Sequence, residues 1–279
     1  MQKTLNFLRY LVLYAVLLLV SILVLYPILF TVSSAFSESE GIATMHPYPF
    51  MDGLSLRQFE RLFSETDFGI WYVNTLKIAT INTCISVLII TVAAYIFSRM
   101  KFRGRKGFLM SMLIFQMFPS FAGMIALFII VWRMGLLDNH LGLILIYAAG
   151  NIPYNTWLIK SYMDTIPKSM DEAARVDGAT HFRTFRSIIL PIAKPMITFL
   201  AITSFTGPWM DFILPQLLLK SNENKTLAVG LFALINGKEN TAFSMFAAGA
   251  LLVAVPFMIV FVINQKYMTQ ILAAGAVKE

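Results

Sequence analysis

Long apolar runs alternate with short polar ones along the chain, and six of the apolar runs are long enough for a membrane crossing. A helix rises about 1.5 Å per residue and bilayer hydrocarbon is roughly 30 Å deep, so about 20 mostly apolar residues span it. The qualifying windows are residues 9–35, 74–98, 107–133, 139–163, 196–219 and 243–264. The pattern predicts an all-α integral membrane protein of six transmembrane helices, forming a single transmembrane domain over residues 1–279. The second, fourth and fifth windows hold more polar atoms than a lipid-facing helix needs. The first window has basic residues ahead of it, Lys3 and Arg9, and small ones at its end, Ser33, Ser34 and Ala35. Its apolar core outruns the roughly 7–15 residues of a secretory signal, so it reads as an uncleaved first span.

Composition agrees, with 58% hydrophobic and 13% charged residues against about 25% charged in soluble domains. Lys and Arg favour the cytoplasmic side of a membrane. With the N-terminus inside, fifteen of the 22 Lys and Arg residues fall in cytoplasmic segments, five of them in "RMKFRGRKG" between spans two and three. Both termini are therefore expected in the cytoplasm, and so is the segment 164–195 between spans four and five. This surplus lies at the membrane edge, beside lipid, and no nucleic-acid partner is expected. The single cysteine, Cys84, excludes a disulfide within the chain and reads as a small core residue. His46, His140 and His181 fall on two sides of the membrane, so no metal site is expected.

Two outer connections, 36–73 and 220–242, are long enough to carry structure. In the first, Ser55 and Gln58 have capping-box spacing ahead of an apolar face of Leu56, Phe59 and Phe63. The second has Gly and Asn turn signals around an apolar centre, which suits a connector or a contact with another protein. No internal repeat is visible.

The most charged stretch is "SMDEAARVDGATHFRTFRSIILP", Ser169 to Pro191. Ser169 and Glu172 have capping-box spacing, and Pro167 helps mark the start of a helix. Gly178 suits a left-handed close, and Thr180 can cap a second helix running toward Pro191. Ala173 and Ala174 leave the first helix nearly bare for close approach, while Glu172 and Arg175 supply charges that select a partner. The residues equally fit an amphipathic hairpin on the inner leaflet, with Arg183, Arg186 and Lys194 near lipid phosphates.

The spacing Glu172-Ala173-Ala174, three residues, Gly178, nine residues, Ile188-x-Leu190-Pro191 resembles the EAA motif of ABC importer permease subunits. The stretches "WYVNTL", "GNIPYNTWLIKSYMDTIP", "TLAVGL" and "LAAGAVKE" extend the resemblance to the carbohydrate-uptake branch, in particular the shorter permease of maltose and maltodextrin systems. The resemblance implies a coupling-helix pair docking on a separate ATPase dimer, with Glu172, Ala173, Ala174 and Gly178 as the docking positions. It further implies a second, longer permease, an extracytoplasmic sugar-binding protein, a bacterial plasma-membrane location, and alternating access driven by ATP. No cofactor is expected on this chain, and ATP with Mg would belong to the partner ATPase.

The residues agree that ATP is hydrolysed elsewhere. The nearest approach to a phosphate loop, Gly230 to Lys238, has six residues between its glycines instead of four, and Glu239 where Ser or Thr belongs. Pro119, Pro153, Pro208 and Pro256 interrupt spans three to six and suit bent helices. Asp211 is the one acid well inside a span, where it needs a partner or a wet cavity. With Trp209, whose ring can stack on a sugar, and the amides Asn151, Asn155 and Gln116, it forms the candidate translocation pathway. Each of these suits a structural hydrogen bond between helices equally well. Maltodextrin is the expected cargo, with galacto-oligosaccharides as the alternative. A membrane enzyme finds no H-E-x-x-H or G-x-S-x-G, and an ATP-independent secondary transporter finds only Asp211 in its favour.

Overall fold

The computed structural model describes residues 2–41, 45–118, 120–236 and 242–276. Pro119 and the sequence around Lys238 lie outside them. The described residues form helices and no strand. In chain order they are α1 (Gln2–Ala35), α2 (Arg57–Glu65), α3 (Phe68–Arg99), α4 (Arg105–Phe115), α5 (Met124–Arg133), α6 (His140–Thr165), α7 (Lys168–Val176), α8 (His181–Thr184), α9 (Leu190–Ile192), α10 (Lys194–Met210), α11 (Ile213–Leu218), α12 (Leu227–Ile235) and α13 (Phe243–Ala276).

Three stretches are helical, long and apolar enough to cross a membrane: Arg9–Ala35, Phe68–Arg99 and Phe243–Ile263. The pair His181–Ile192 and Lys194–Met210, bent by 78°, makes a fourth if counted as one span. The third apolar window is not one helix. It divides into α4, a short 3-10 turn at Ser120–Gly123, and α5, where Gly123 offers little helical propensity. The fifth window also breaks, at Asp211, whose Oδ1 accepts from the amides of Ile213 (3.0 Å) and Leu214 (3.4 Å) and so starts α11.

The chain divides into two compact units, residues 1–68 with 230–255, and 69–229 with 256–279. In the first, Gln58 does not close a capping box. It is fully buried, and its Nε2 donates to the carbonyls of Ser37 and Ser39, each at 3.1 Å, pinning the loop that leaves α1. Leu62, one turn on, is buried beside it, whereas Leu56 and Phe63 are exposed. The buried face of α2 therefore follows Gln58, because only an amide at that position answers the two loop carbonyls.

In the second unit a polar latch holds the segment after α11. Asp138 takes a left-handed conformation (φ 56°), which a short polar side chain tolerates. Its Oδ1 accepts from the amides of Lys220 (2.7 Å) and Ser221 (3.0 Å), and its carbonyl accepts from Asn224 Nδ2 at 2.7 Å. Asn74 Nδ2 donates to the carbonyls of Glu223 and Lys225, and Thr75 Oγ1 accepts from the amide of Leu227. Burial pulls the Asp138 carboxyl upward, but the Ser221 and Lys220 donors outweigh it, so the group lies below the ordinary carboxylate range. A depressed folded pKa gives stability that is present above the unfolded value and lost as pH falls through the folded one. The protection of the Lys220 and Ser221 amides, relative to intrinsic exchange at each pH, should thus be high at neutral pH and fall only under acid; Asp138→Asn should lower it already at neutral pH.

Gly142, in the first turn of α6, marks a tight approach. A Cβ there would lie 2.8 Å from the Leu136 carbonyl oxygen and 3.1 Å from Val131 Cγ1. Because the nearest obstacle is backbone, Gly142→Ala should destabilise this corner by about 1–3 kcal/mol. A lowered melting midpoint in detergent is the expected reading; an unchanged one would contradict the packing described.

Candidate functional site

The segment between α6 and α10 is built as a helix, a sharp turn and a second helix. α7 starts at Lys168, after Pro167, and no side chain caps its first amides. The Ser169 and Glu172 capping box does not form, since the proline-fixed backbone starts the helix two residues earlier than that box needs. At the other end Gly178 lies at φ +78°, where its amide reaches the Arg175 carbonyl (3.0 Å) and the Ala179 amide reaches that of Ala174 (2.9 Å). A side chain at Gly178 would be strained, so this turn depends on glycine. Thr180 then caps α8, its Oγ1 accepting from the Arg183 amide at 3.3 Å.

The two faces of α7 differ. Glu172, Ala173 and Arg175 are exposed, and Val176 is 88% exposed, with Phe182 of α8 68% exposed. Asp171 and Ala174 are turned inward and buried. Of the four motif residues, Glu172, Ala173 and Gly178 lie at the surface, while Ala174 sits beneath it and allows the helix to seat closely.

A buried ion pair fastens that inner face. Arg99, the last residue of α3, brings its Nε within 2.8 Å of Asp171 Oδ2, with the two side chains 3% and 8% exposed. Arg99 Nη2 also donates to the Ile166 carbonyl (3.0 Å), and its Nη1 to Ser98 Oγ (3.3 Å). Ser98 Oγ donates in turn to Asp164 Oδ1 at 2.7 Å, and Asp164 pairs with Lys160. A polar chain thus runs from α6 through the end of α3 to the underside of α7. Alongside it, Tyr95 donates to the His181 carbonyl at 3.2 Å and its ring lies 4.8 Å from that of Phe185.

The rest of the motif is an anchor. Phe185–Ile189 is a π-helical turn, and Ile189 is fully buried in an apolar core with Ile90, Ala94, Ile159, Met163 and Leu200. Ile188 packs against the same core. Its first part therefore presents a small, partly apolar surface carrying Glu172, and its last part holds that surface to α3, α6 and α10. α7 is thereby packed rigidly onto the long helices.

The five pathway candidates are not gathered in one place. Asn151 Nδ2 donates to Ser86 Oγ at 3.2 Å, Ser86 Oγ to Asn82 Oδ1 at 3.3 Å, and Asn82 Nδ2 to the Ser204 carbonyl at 2.8 Å. These bonds tie α3, α6 and α10 through a buried polar core. Asn155 donates to the Asn151 carbonyl of its own helix at 2.9 Å. Asp211 accepts from Tyr147 Oη at 2.8 Å besides capping α11. Trp209 is buried among Tyr72, Phe205 and Phe257, so its faces are covered in this conformation. Gln116 is exposed where α4 ends.

Residues 85–270 match the family described as "Binding-protein-dependent transport system inner membrane component". The chain belongs to this family. It is thereby a multi-pass inner-membrane component, a transport subunit and not an enzyme in itself. The permease is 43% identical over 265 residues to the maltodextrin transport system permease protein MdxG of Bacillus subtilis, covering 95% of each chain. It is 39% identical to the galactooligosaccharides transport system permease protein GanQ of the same organism, over 99% of this chain and 98% of that one. Among solved structures it resembles a chain of a bacterial ABC transporter that imports the acidic polysaccharide alginate, with TM-score 0.79, 27% identity, and 93% and 96% of the two chains covered. A second alginate transporter structure, in complex with an alginate pentasaccharide-bound periplasmic protein, shares the fold at TM-score 0.70 and 18% identity, over 95% and 96% of the two chains.

Sequence reasoning located the exposed motif but not its fastening. Arg99 counted only as one more basic residue at a membrane edge, and Asp171 as an unremarked neighbour of Glu172. The available signal was that Asp171 and Ala174 are three apart, and so share a face opposite Glu172 and Val176.

Proposed function

We propose that this chain is a permease subunit of an ATP-driven, binding-protein-dependent importer of maltodextrin-type oligosaccharides. In this reading six spans cross the membrane with both termini in the cytoplasm, in a single permease domain pairing with a second, longer permease. A separate ATPase dimer supplies Mg-ATP hydrolysis, and an external binding protein delivers the sugar. The ATPase docks on Glu172, Ala173 and Val176, and Gly178 holds the turn behind them. Closure of the ATPases moves α7, and the core around Ile189 with the Arg99 and Asp171 pair carries the motion into α3, α6 and α10, so that the bundle alternates between outward and inward openings. Asn151, Asn155, Asp211, Trp209 and Gln116 become pathway groups to the extent that this motion uncovers them.

The observation that carries the reading is the division of α7 into an exposed Glu172 face and a buried, ion-paired Asp171 face. The similarity to MdxG supports maltodextrin as cargo, and the similarity to GanQ over almost the whole chain supports galacto-oligosaccharides as the alternative. Uptake by proteoliposomes holding the chain with its companions separates them. ATP-dependent accumulation of labelled maltodextrin, with galacto-oligosaccharide far weaker, is expected; uptake that persists without ATP would sink the importer reading.

A further inference from the structure

The turn between α3 and α4 carries Lys101 and Arg103, and α4 opens with Arg105 and Lys106; none of these cations forms an ion pair among the described residues. Three of them join Lys160 of α6 around a concavity of about 540 Å³, whose wall is completed by Phe102 and Leu109. Gly104 and Gly107 also line it, and a Cβ at either would meet nothing within 4 Å, so the concavity is open at its backbone edge. Four positive side chains thus face one space in which no carboxylate stands. Lys160 alone has an acid partner, Asp164, at 2.5 Å.

The surroundings choose between kinds of anion. Immediately beyond the basic turn, α4 has no buried residue, and Phe108 and Met110 are 55% and 59% exposed. Phe102, on the wall itself, is 45% exposed. In a multi-pass membrane protein such apolar surface faces acyl chains, so the concavity stands where charge gives way to hydrocarbon. A free phosphate would use the cations and leave the apolar wall bare. A phospholipid with an anionic headgroup satisfies both, the phosphate among the lysines and its chains along Phe108 and Met110.

We propose that this concavity is a binding site for an anionic phospholipid headgroup. The assignment does not rest on the coupling reading of α7. It has a structural bearing on it, because Lys160 also holds Asp164, the carboxylate at the head of the polar chain leading through Ser98 and Arg99 to Asp171. A headgroup that draws on Lys160 acts on the same chain of charges that fastens α7.

The test uses the full-length permease, purified in mild detergent and titrated with phosphatidylglycerol or phosphatidylcholine under native mass spectrometry. Phosphatidylglycerol should remain bound at activation energies that strip phosphatidylcholine. The triple variant Lys101→Gln, Arg105→Gln, Lys106→Gln should weaken that binding at least tenfold, while Arg57→Gln with Lys220→Gln, exposed elsewhere on the chain, should leave it unchanged. Equal retention of the two lipids, or undiminished binding by the triple variant, overturns the proposal. Displacement of the lipid by millimolar inorganic phosphate also overturns it, since that identifies a free-anion site. Should the triple variant fail to fold, a photoreactive phosphatidylglycerol on the unmodified protein gives the answer. Labelling within residues 101–109 supports the site, and labelling confined to other segments refutes it.

Discussion

Asp171→Asn is expected to release α7 from the helical bundle and to reduce ATP-coupled sugar uptake by at least tenfold, with the long helices still folded. The substitution leaves the Arg99 guanidinium in a pocket where its own side chain is 3% exposed and its counter-charge, 2.8 Å away, is gone. Breaking one partner out of a buried pair typically costs about 3–5 kcal/mol. Arg99 keeps the Ile166 carbonyl and Ser98, which argues for the lower end. The cost is relieved most easily by lifting the nine-residue α7 so that water reaches Arg99. At about 1.4 kcal/mol per tenfold, roughly 3 kcal/mol raises the undocked population about a hundredfold. Hydrogen exchange should therefore speed up in α7 and not in α3. Exchanging the charges, Arg99→Asp with Asp171→Arg, should recover part of the lost coupling, a recovery that side-chain volume alone would not produce. Unchanged exchange in α7 of Asp171→Asn would contradict the role of the pair. An apolar pair of similar size would hold the helix comparably well, so what the ions add is one register for α7.

Glu172→Lys should give the same loss of uptake by the opposite route. Glu172 is exposed, and exposed substitutions away from special features change stability by no more than about 0.5 kcal/mol. Against a partner surface that complements a carboxylate, however, reversing the charge costs several kcal/mol. The variant should therefore melt like the unmodified permease and exchange normally in α7, yet fail to link ATP hydrolysis to sugar. Normal uptake by Glu172→Lys would end the docking assignment. Together the two variants distinguish the proposed docking surface from the fastening beneath it, because only Asp171→Asn should move the exchange of α7.

The contrast between these neighbours also marks what the sequence could reveal. The motif's helix, glycine turn and second helix follow from local chemistry, and Gly178 and Thr180 stand in the roles their residue types imply. The Arg99 and Asp171 pair joins residues far apart in the chain, and no local rule selects one arginine of a basic loop for burial. Periodicity likewise located the apolar windows but not their interruptions. Asp211 stops one helix and caps the next, a role decided by which amides reach its carboxylate. Gln58 looked like a helix cap and is instead a buried tie to Ser37 and Ser39, because tertiary carbonyls compete for the same amide. Family resemblance supplied the expected role of the motif, and packing shows how its inner face is fastened.

The most direct test of the coupling account is photo-crosslinking from position 173, where Ala173 stands exposed between Glu172 and the buried Ala174. A photoreactive residue placed there in native membranes should capture an ATP-binding chain, identified by mass, with a yield that changes when non-hydrolysable ATP is added. Adducts only to lipid, with no ATPase at any nucleotide state, would contradict it.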